Sequence, residues 1–379
     1  MDLIPIVVVF SVLQGLAGFG VYLERKISAF MQNRHGPNRV GPMGLLQVLA
    51  DGLKFVLKEE FVPHYADKVL FIVAPCVILI SSMLAFAVVP FGPTGNPYAA
   101  DYAESYQFVI AKNVDIGILF IFAISSLSVY GIILGGWASN NKYSLLGGLR
   151  SSAQIISYEI PLGLSILGIV LISSSLNLEA IIWHQANAGT GFLSLFGWNI
   201  WYQPLAFLLF MISAFAECNR LPFDLPETEQ ELVGGYHTEY NGMKLAFFFL
   251  GEYCHMVTTS FLMVILFLGG WHFPYVAEPE NWWLLKLIVF SVKMSLFFLF
   301  YMLIRWTLPR FRFDQLMTLA WKVLIPMALA NLVAVMIVKE CNASLWWLLP
   351  ASVAILIGAG LITTKPVKVS PAPFADGRV

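Results

Sequence analysis

Six carboxylates crowd one short stretch of the chain: Glu217, Asp224, Glu227, Glu229, Glu231 and Glu239, with Arg220 the one strong cation among them. Segments apolar enough to cross a bilayer lie on both sides. Crowded carboxylates beside hydrocarbon disfavour one another's charge, and desolvation disfavours every charge, so their protons exchange closer to neutral pH than in water. That is the chemistry of a protein that moves protons or senses charge at a membrane. More acids lie inside the apolar runs, where an ionisable side chain is costly and by default points to function. Glu159 sits in Ser157-Tyr-Glu-Ile-Pro161, Glu252 in Glu252-Tyr-Cys-His255, and Glu217 ends a run of its own. Each alone fits a structural hydrogen bond or an ion pair equally well. Together with the loop they suggest a chain of carboxylates leading from the surface into the bilayer. Lys293, deep in another run, is expected neutral or paired with a carboxylate, and Asp115 reads as a helix N-cap.

Other chemistries find little support. His35, His237 and His255 are too scattered for a metal site. The four cysteines, Cys76, Cys218, Cys254 and Cys341, lack the spacing of zinc or iron–sulfur ligands and read as small buried residues. No phosphate loop, dinucleotide fingerprint or nucleophile with a placed base is present. No nucleic-acid partner is expected.

The elements that must position these groups follow from composition. The chain is 58% hydrophobic and 12% charged, with a mean hydropathy of +0.75, which places it among integral membrane proteins. Apolar runs at 4–23, 69–89, 116–137, 155–174, 205–216, 245–269, 283–305, 316–338 and 346–362 predict about nine transmembrane helices. Lipid leaves no partner for open backbone groups, so an all-α fold is required. Lys and Arg alternate with these runs. Arg25, Lys26, Arg34, Arg39, Lys54, Lys58 and Lys68 follow the first run. Lys142 and Arg150 follow the third, Arg220 and Lys244 the fifth, and Arg310 and Arg312 the seventh. The opposite connections hold only Lys112, Lys286 and Lys339. The bias predicts an N-terminus outside and a cytoplasmic C-terminus, with the acidic loop (about 217–242) cytoplasmic.

Between the first two runs, Leu45, Leu46, Leu49, Leu53, Val56 and Leu57 recur at helical spacing opposite Gln47, Asp51, Lys54 and Lys58. This predicts an amphipathic helix over about 44–61, lying on the cytoplasmic surface. Residues 1–364 read as a single polytopic domain and 365–379 as a flexible tail. The first run has no basic n-region and no small-residue cleavage pattern, so it does not read as a cleaved signal.

Long motifs occur in order: Glu24-Arg-Lys26, Gly36-Pro-Asn38, Val40-Gly-Pro42, Ala50-Asp-Gly-Leu-Lys54, Gly136-Trp-Ala-Ser-Asn140, Ala153-Gln-Ile-Ile-Ser-Tyr-Glu159, Glu217-Cys-Asn-Arg-Leu-Pro-Phe-Asp-Leu-Pro-Glu227 and Pro309-Arg-Phe-Arg-Phe-Asp-Gln-Leu-Met317. Over residues 3–338 the sequence resembles the H-subunit family (subunit 1 in mitochondria) of respiratory complex I, the proton-translocating NADH:quinone oxidoreductase. The resemblance implies a membrane subunit that joins the two arms of the enzyme and builds much of its quinone tunnel. Quinone is then the substrate, while FMN and the iron–sulfur clusters belong to partner subunits. Partners are the cluster-bearing peripheral arm and the antiporter-like membrane arm. Carried over by position, Arg25, Gln32, Arg34, Lys54, Arg220, Phe223 and Asp224 line the tunnel and chamber. Glu217, Glu227, Glu229, Glu231, Glu159 and Glu252 carry proton coupling. The final run and tail fall outside the resemblance and suggest a bacterial inner membrane. Two alternatives remain: the homologous subunit of an energy-converting hydrogenase or of another quinone- or phenazine-linked relative that lacks the NADH module, and a free-standing cation or proton transporter, which the missing inverted repeat disfavours.

Overall fold

The computed structural model describes residues 3–91, 109–111, 114–187, 191–224, 233–277 and 282–363. Glu227, Glu229, Glu231, Lys112 and the tail fall outside them. Among the described residues there is no strand, only an isolated bridge between Phe273 and Ala277. Seven helices are long and apolar enough to cross a membrane, and two shorter ones, Pro204–Glu217 and Leu345–Leu361, stand at the fifth and ninth expected positions.

In chain order the helices are α1 (Leu3–Met31), α2 (Gln47–Leu57), α3 (Lys68–Leu84), α4 (Gly117–Ala138), α5 (Lys142–Ser173), α6 (Leu178–Ala186) and α7 (Asn199–Tyr202). There follow α8 (Pro204–Glu217), α9 (Gly242–Phe267), α10 (Trp283–Thr307), α11 (Phe313–Leu319), α12 (Ile325–Glu340) and α13 (Leu348–Thr363). Helix α9 is the axis of the molecule. It is buried without a break over residues 251–267 and packs against α1, α2, α3, α6, α8 and α10. Small residues permit the closest approaches. A Cβ on Gly131 of α4 or Gly251 of α9 would lie 2.4 or 2.6 Å from Ile78 of α3. A Cβ on Gly147 of α5 would lie 2.6 Å from the Gly235 backbone, so this glycine lets the Tyr236 turn seat against the bundle.

Several boundaries differ from those read in the sequence. Helix α1 continues about one and a half turns past Glu24-Arg25-Lys26, and Glu24 is buried and ion-paired rather than solvated. Helix α5 begins at Lys142, not near 155; its 32 residues extend about 48 Å at ~1.5 Å per residue, beyond the hydrocarbon. Its start is capped by Asn141, which accepts from the Tyr143 N–H at 3.0 Å. The surface helix spans Gln47–Leu57, with a short 3-10 turn at Pro42–Gly44 before it and extended backbone at Lys58. Asp115 does not cap α4, whose N-cap is Ile116. Cys218 and Cys254 are buried as expected, but Cys341 is exposed. A π turn at Ala320–Leu324 separates α11 from α12. Pro326 has no N–H to offer the Lys322 carbonyl, which accounts for a break in the ladder there.

Lys293 is buried, and among the described residues it meets backbone carbonyls and no carboxylate. Its Nζ donates to the carbonyls of Leu268, Gly270 and His272 at 2.7, 3.0 and 2.7 Å and lies 4.2 Å from the Trp198 ring centre. The α9–α10 connection turns through left-handed Gly269 and Gly270 and wraps its carbonyls around the ammonium.

Candidate functional site

Four apolar helices end or begin at the basic side of the molecule, and each brings one charged group to a shared point. The last turns of α1 carry Glu24, the residues just after α8 carry Arg220, the early turns of α9 carry Glu252 and Tyr253, and the last turn of α10 carries Arg305. Glu24, 6% exposed, pairs with Arg305, accepts from Arg220 Nη1 at 3.3 and 3.4 Å, and accepts from the Tyr253 hydroxyl. The Arg220 guanidinium stacks 4.4 Å from the Tyr253 ring centre and reaches Glu252 at 3.9 Å. Tyr236 donates to Glu252 at 3.2 Å. Among the described residues, two arginines and two carboxylates thus meet in a low-dielectric pocket, where charged groups act on one another far more strongly than in water.

Arg220 owes its place to local structure. Asn219 takes a left-handed conformation (φ 49°), which ends α8. Gln154 of α5, fully buried, donates to the carbonyls of Ala216 and Phe223 at 3.0 and 2.8 Å and fixes the turn from both ends.

A cavity of about 860 Å³ opens from this cluster. Its lining includes Glu24, Arg220, Glu252, Tyr253 and Arg305 together with Val21, Val48, Phe55, Phe249 and Leu250. A second opening of about 870 Å³ adjoins it and is lined by Arg25, Arg34, His35 and Arg39 with Trp306. Glu252 also borders a small cavity of about 20 Å³, where Glu217, Cys218, Asn219, Tyr236 and His255 share the lining with Ser128 and the apolar Ile78, Ile132, Ile155 and Phe248. Glu217 ends α8, which packs against α5, the helix that carries Glu159, and Ser126 of α4 hydrogen-bonds Glu159. Glu24 and Glu252 thus share the large cavity and Glu252 and Glu217 the small one, with Glu159 on the neighbouring helix.

The expected residues divide into five groups. Arg220, Glu252 and Glu217 line the two cavities, with Glu159 on the neighbouring helix. Arg25 and Arg34 line the openings, Arg25 paired with Asp51 of α2 and Arg34 donating to Gln32 at 2.6 Å. Lys54 is exposed and 3.8 Å from Asp51. Phe223 and Asp224 are held away from the large cavity: Phe223 packs between Tyr158 and Phe311, and Asp224 lies 3.5 Å from Arg310. Glu227, Glu229 and Glu231 lie outside the described residues. The sequence reading assigned no role to Glu24, Tyr236, Tyr253 or Arg305. The available signal was charge inside a helix, since Glu24 and Arg305 both lie within the terminal turns of long apolar helices. Among the described residues no group of three potential metal ligands occurs.

Comparison with known proteins places these features in a family. The profile of the NADH dehydrogenase family matches residues 4–336. The chain is 46% identical over 337 residues to H subunit 1 of the NADH-quinone oxidoreductase of Cytophaga hutchinsonii, covering 87% of this chain and 94% of that one. It is 48% identical over 326 residues to the H subunit of the Thermomicrobium roseum enzyme (86% and 92% covered) and 44% over 365 residues to the H subunit of the Bdellovibrio bacteriovorus enzyme (86% and 93%).

Proposed function

This chain belongs to the NADH dehydrogenase family, and we propose that within NADH-quinone oxidoreductase it forms the quinone passage and transmits quinone reduction to proton-moving carboxylates. It is an integral membrane subunit of that enzyme, respiratory complex I, whose other subunits are its partners. The observation that carries the finer reading is the 860 Å³ cavity, in which apolar side chains such as Val21, Phe55, Phe249 and Leu250 share the lining with the paired charges of Glu24, Arg220, Glu252 and Arg305. An isoprenoid tail needs the first kind of lining, and the polar headgroup needs the second. Quinone reduction takes up two electrons and two protons. A change of that size beside Glu24–Arg220–Glu252 shifts the balance of the ion cluster because little water screens it. Glu252 borders both cavities, so it hands the change on to Glu217 and Glu159.

The rest of the assignment follows the same logic. Arg25, Gln32, Arg34 and Lys54 border the entrance, Phe223 and Asp224 brace the turn that presents Arg220, and Glu227, Glu229 and Glu231 extend the acidic path. Flavin and iron–sulfur clusters sit in a peripheral arm, antiporter-like subunits continue the membrane arm, and the membrane is the bacterial inner membrane with the basic side cytoplasmic. The test is photolabelling of the purified complex with a reactive quinone analogue. Labelling on α1 and α9 around Val21, Phe249 and Tyr253, suppressed by excess quinone, is expected. Specific labelling confined to other subunits would overturn the assignment.

A further inference from the structure

His255 is buried at 7% exposure, lies one turn beyond Glu252 on α9, and has so far been given no role. It lines the 20 Å³ cavity, and its buried Nε2 has no hydrogen-bond partner among the described residues. A buried imidazole nitrogen without a partner forfeits its hydration with nothing in return, so native proteins rarely leave one dry. The cavity is large enough for a water molecule, which needs roughly 10–15 Å³. It is also polar enough, since Glu217, Asn219, Tyr236 and Glu252 share its wall with the imidazole.

We propose that this cavity binds one water molecule, held by His255 between Glu252 and Glu217, and that His255 is a positioning residue for the proton step between the two carboxylates. The inference rests on the carboxylate path proposed above. In the step, the O–H bond of protonated Glu252 breaks and its proton passes to the water oxygen. One of the water's own O–H bonds breaks as that proton forms a new O–H bond on ionised Glu217. The water is regenerated, with no oxidant or reductant involved. Neutral His255 offers one donor and one acceptor nitrogen, which holds the water's remaining hydrogen or lone pair in place. Histidine serves here by orienting the water, while the proton itself stays on oxygen.

Two measurements on the whole complex test this. An experimental structure that resolves ordered solvent should show one water within hydrogen-bond distance of the His255 ring and a neighbouring carboxylate; a dry cavity overturns the proposal. In membrane vesicles, His255→Phe should lower quinone-coupled proton translocation at least about tenfold, while His255→Gln, which keeps a donor and an acceptor, should retain most of it. Equal behaviour of the two variants would mean packing alone and contradict the proposal. Ser128→Val, which reaches the same cavity from α4, should reproduce the His255→Phe loss, and this variant decides the matter if His255→Phe fails to assemble. Glu252→Gln separates the two levels. If it stops pumping while the water-displacing variants pump normally, the path stands and the water falls. If it also pumps normally, the path falls and takes the water with it.

Discussion

Glu24 is the carboxylate on which the charge cluster turns, since Arg305, Arg220 and Tyr253 all converge on it. Replacing Glu24 by Gln takes away the carboxylate that Arg220 and Arg305 both contact. Breaking a buried pair from one side costs about 3–5 kcal/mol. We expect Glu24→Gln to lower both the amount of assembled complex and its thermal midpoint; a variant as stable as the parent would show that the cluster is not a support. The sequence displayed the chemistry of this site in part. Glu159, Glu217 and Glu252 stood out because charge within apolar runs is visible without a structure. Glu24 did not, because its partner Arg220 is 196 residues away and a sequence records a charge without recording what it meets. Phe223 and Asp224 show the converse. They share a motif with Arg220, yet the turn fixed by Gln154 directs them toward Tyr158, Phe311 and Arg310.

Among the elements, the connection between α9 and α10 is the one whose stability should depend on pH. His272 is 2% exposed and accepts from Trp198 Nε1 at 3.4 Å. Burial, aided by the Lys293 ammonium, pushes its pKa down to about 4 from the ordinary 6.5. Between those values the unfolded segment binds the proton and the folded one does not, so stability rises with pH and is lost as pH falls from 6.5 toward 4. The thermal midpoint of the complex should fall over that window, and His272→Gln should flatten the dependence; an unchanged slope in the variant would exclude His272 as its source. The surface helix was readable from its period, and its apolar residues Leu49, Leu53 and Leu57 do face outward, at 69, 61 and 77% exposure. The extra turns at the start of α5 depend on tertiary packing, as where Gly147 lets α5 seat against Gly235, and were not readable. The π turn before Pro326 had a local signal, the missing proline N–H, that the apolar run alone hides.

For the whole molecule, the alternation of basic and neutral connections is the feature the sequence displayed most completely. Contacts agree with it. Glu24, Arg220 and Arg305, at the ends of the first, fifth and seventh apolar helices, meet near the start of the sixth, and the Asp67 N–H at the start of α3 bonds the Ala138 carbonyl at the end of α4. The proposed orientation puts Cys341, between α12 and α13, on the outer face. A membrane-impermeant maleimide should label it in right-side-out vesicles and fail to do so in inverted ones, and the opposite pattern would reverse the orientation. The central claim joins all three scales: carboxylates leading away from the quinone cavity carry the coupling. The most direct measurement is the ratio of protons moved to electrons transferred by complex carrying Glu217→Gln in proteoliposomes, with subunit content measured on the same sample. A fully assembled complex in which that ratio collapses is the predicted result. A fully assembled complex that pumps at the parent ratio would contradict the account.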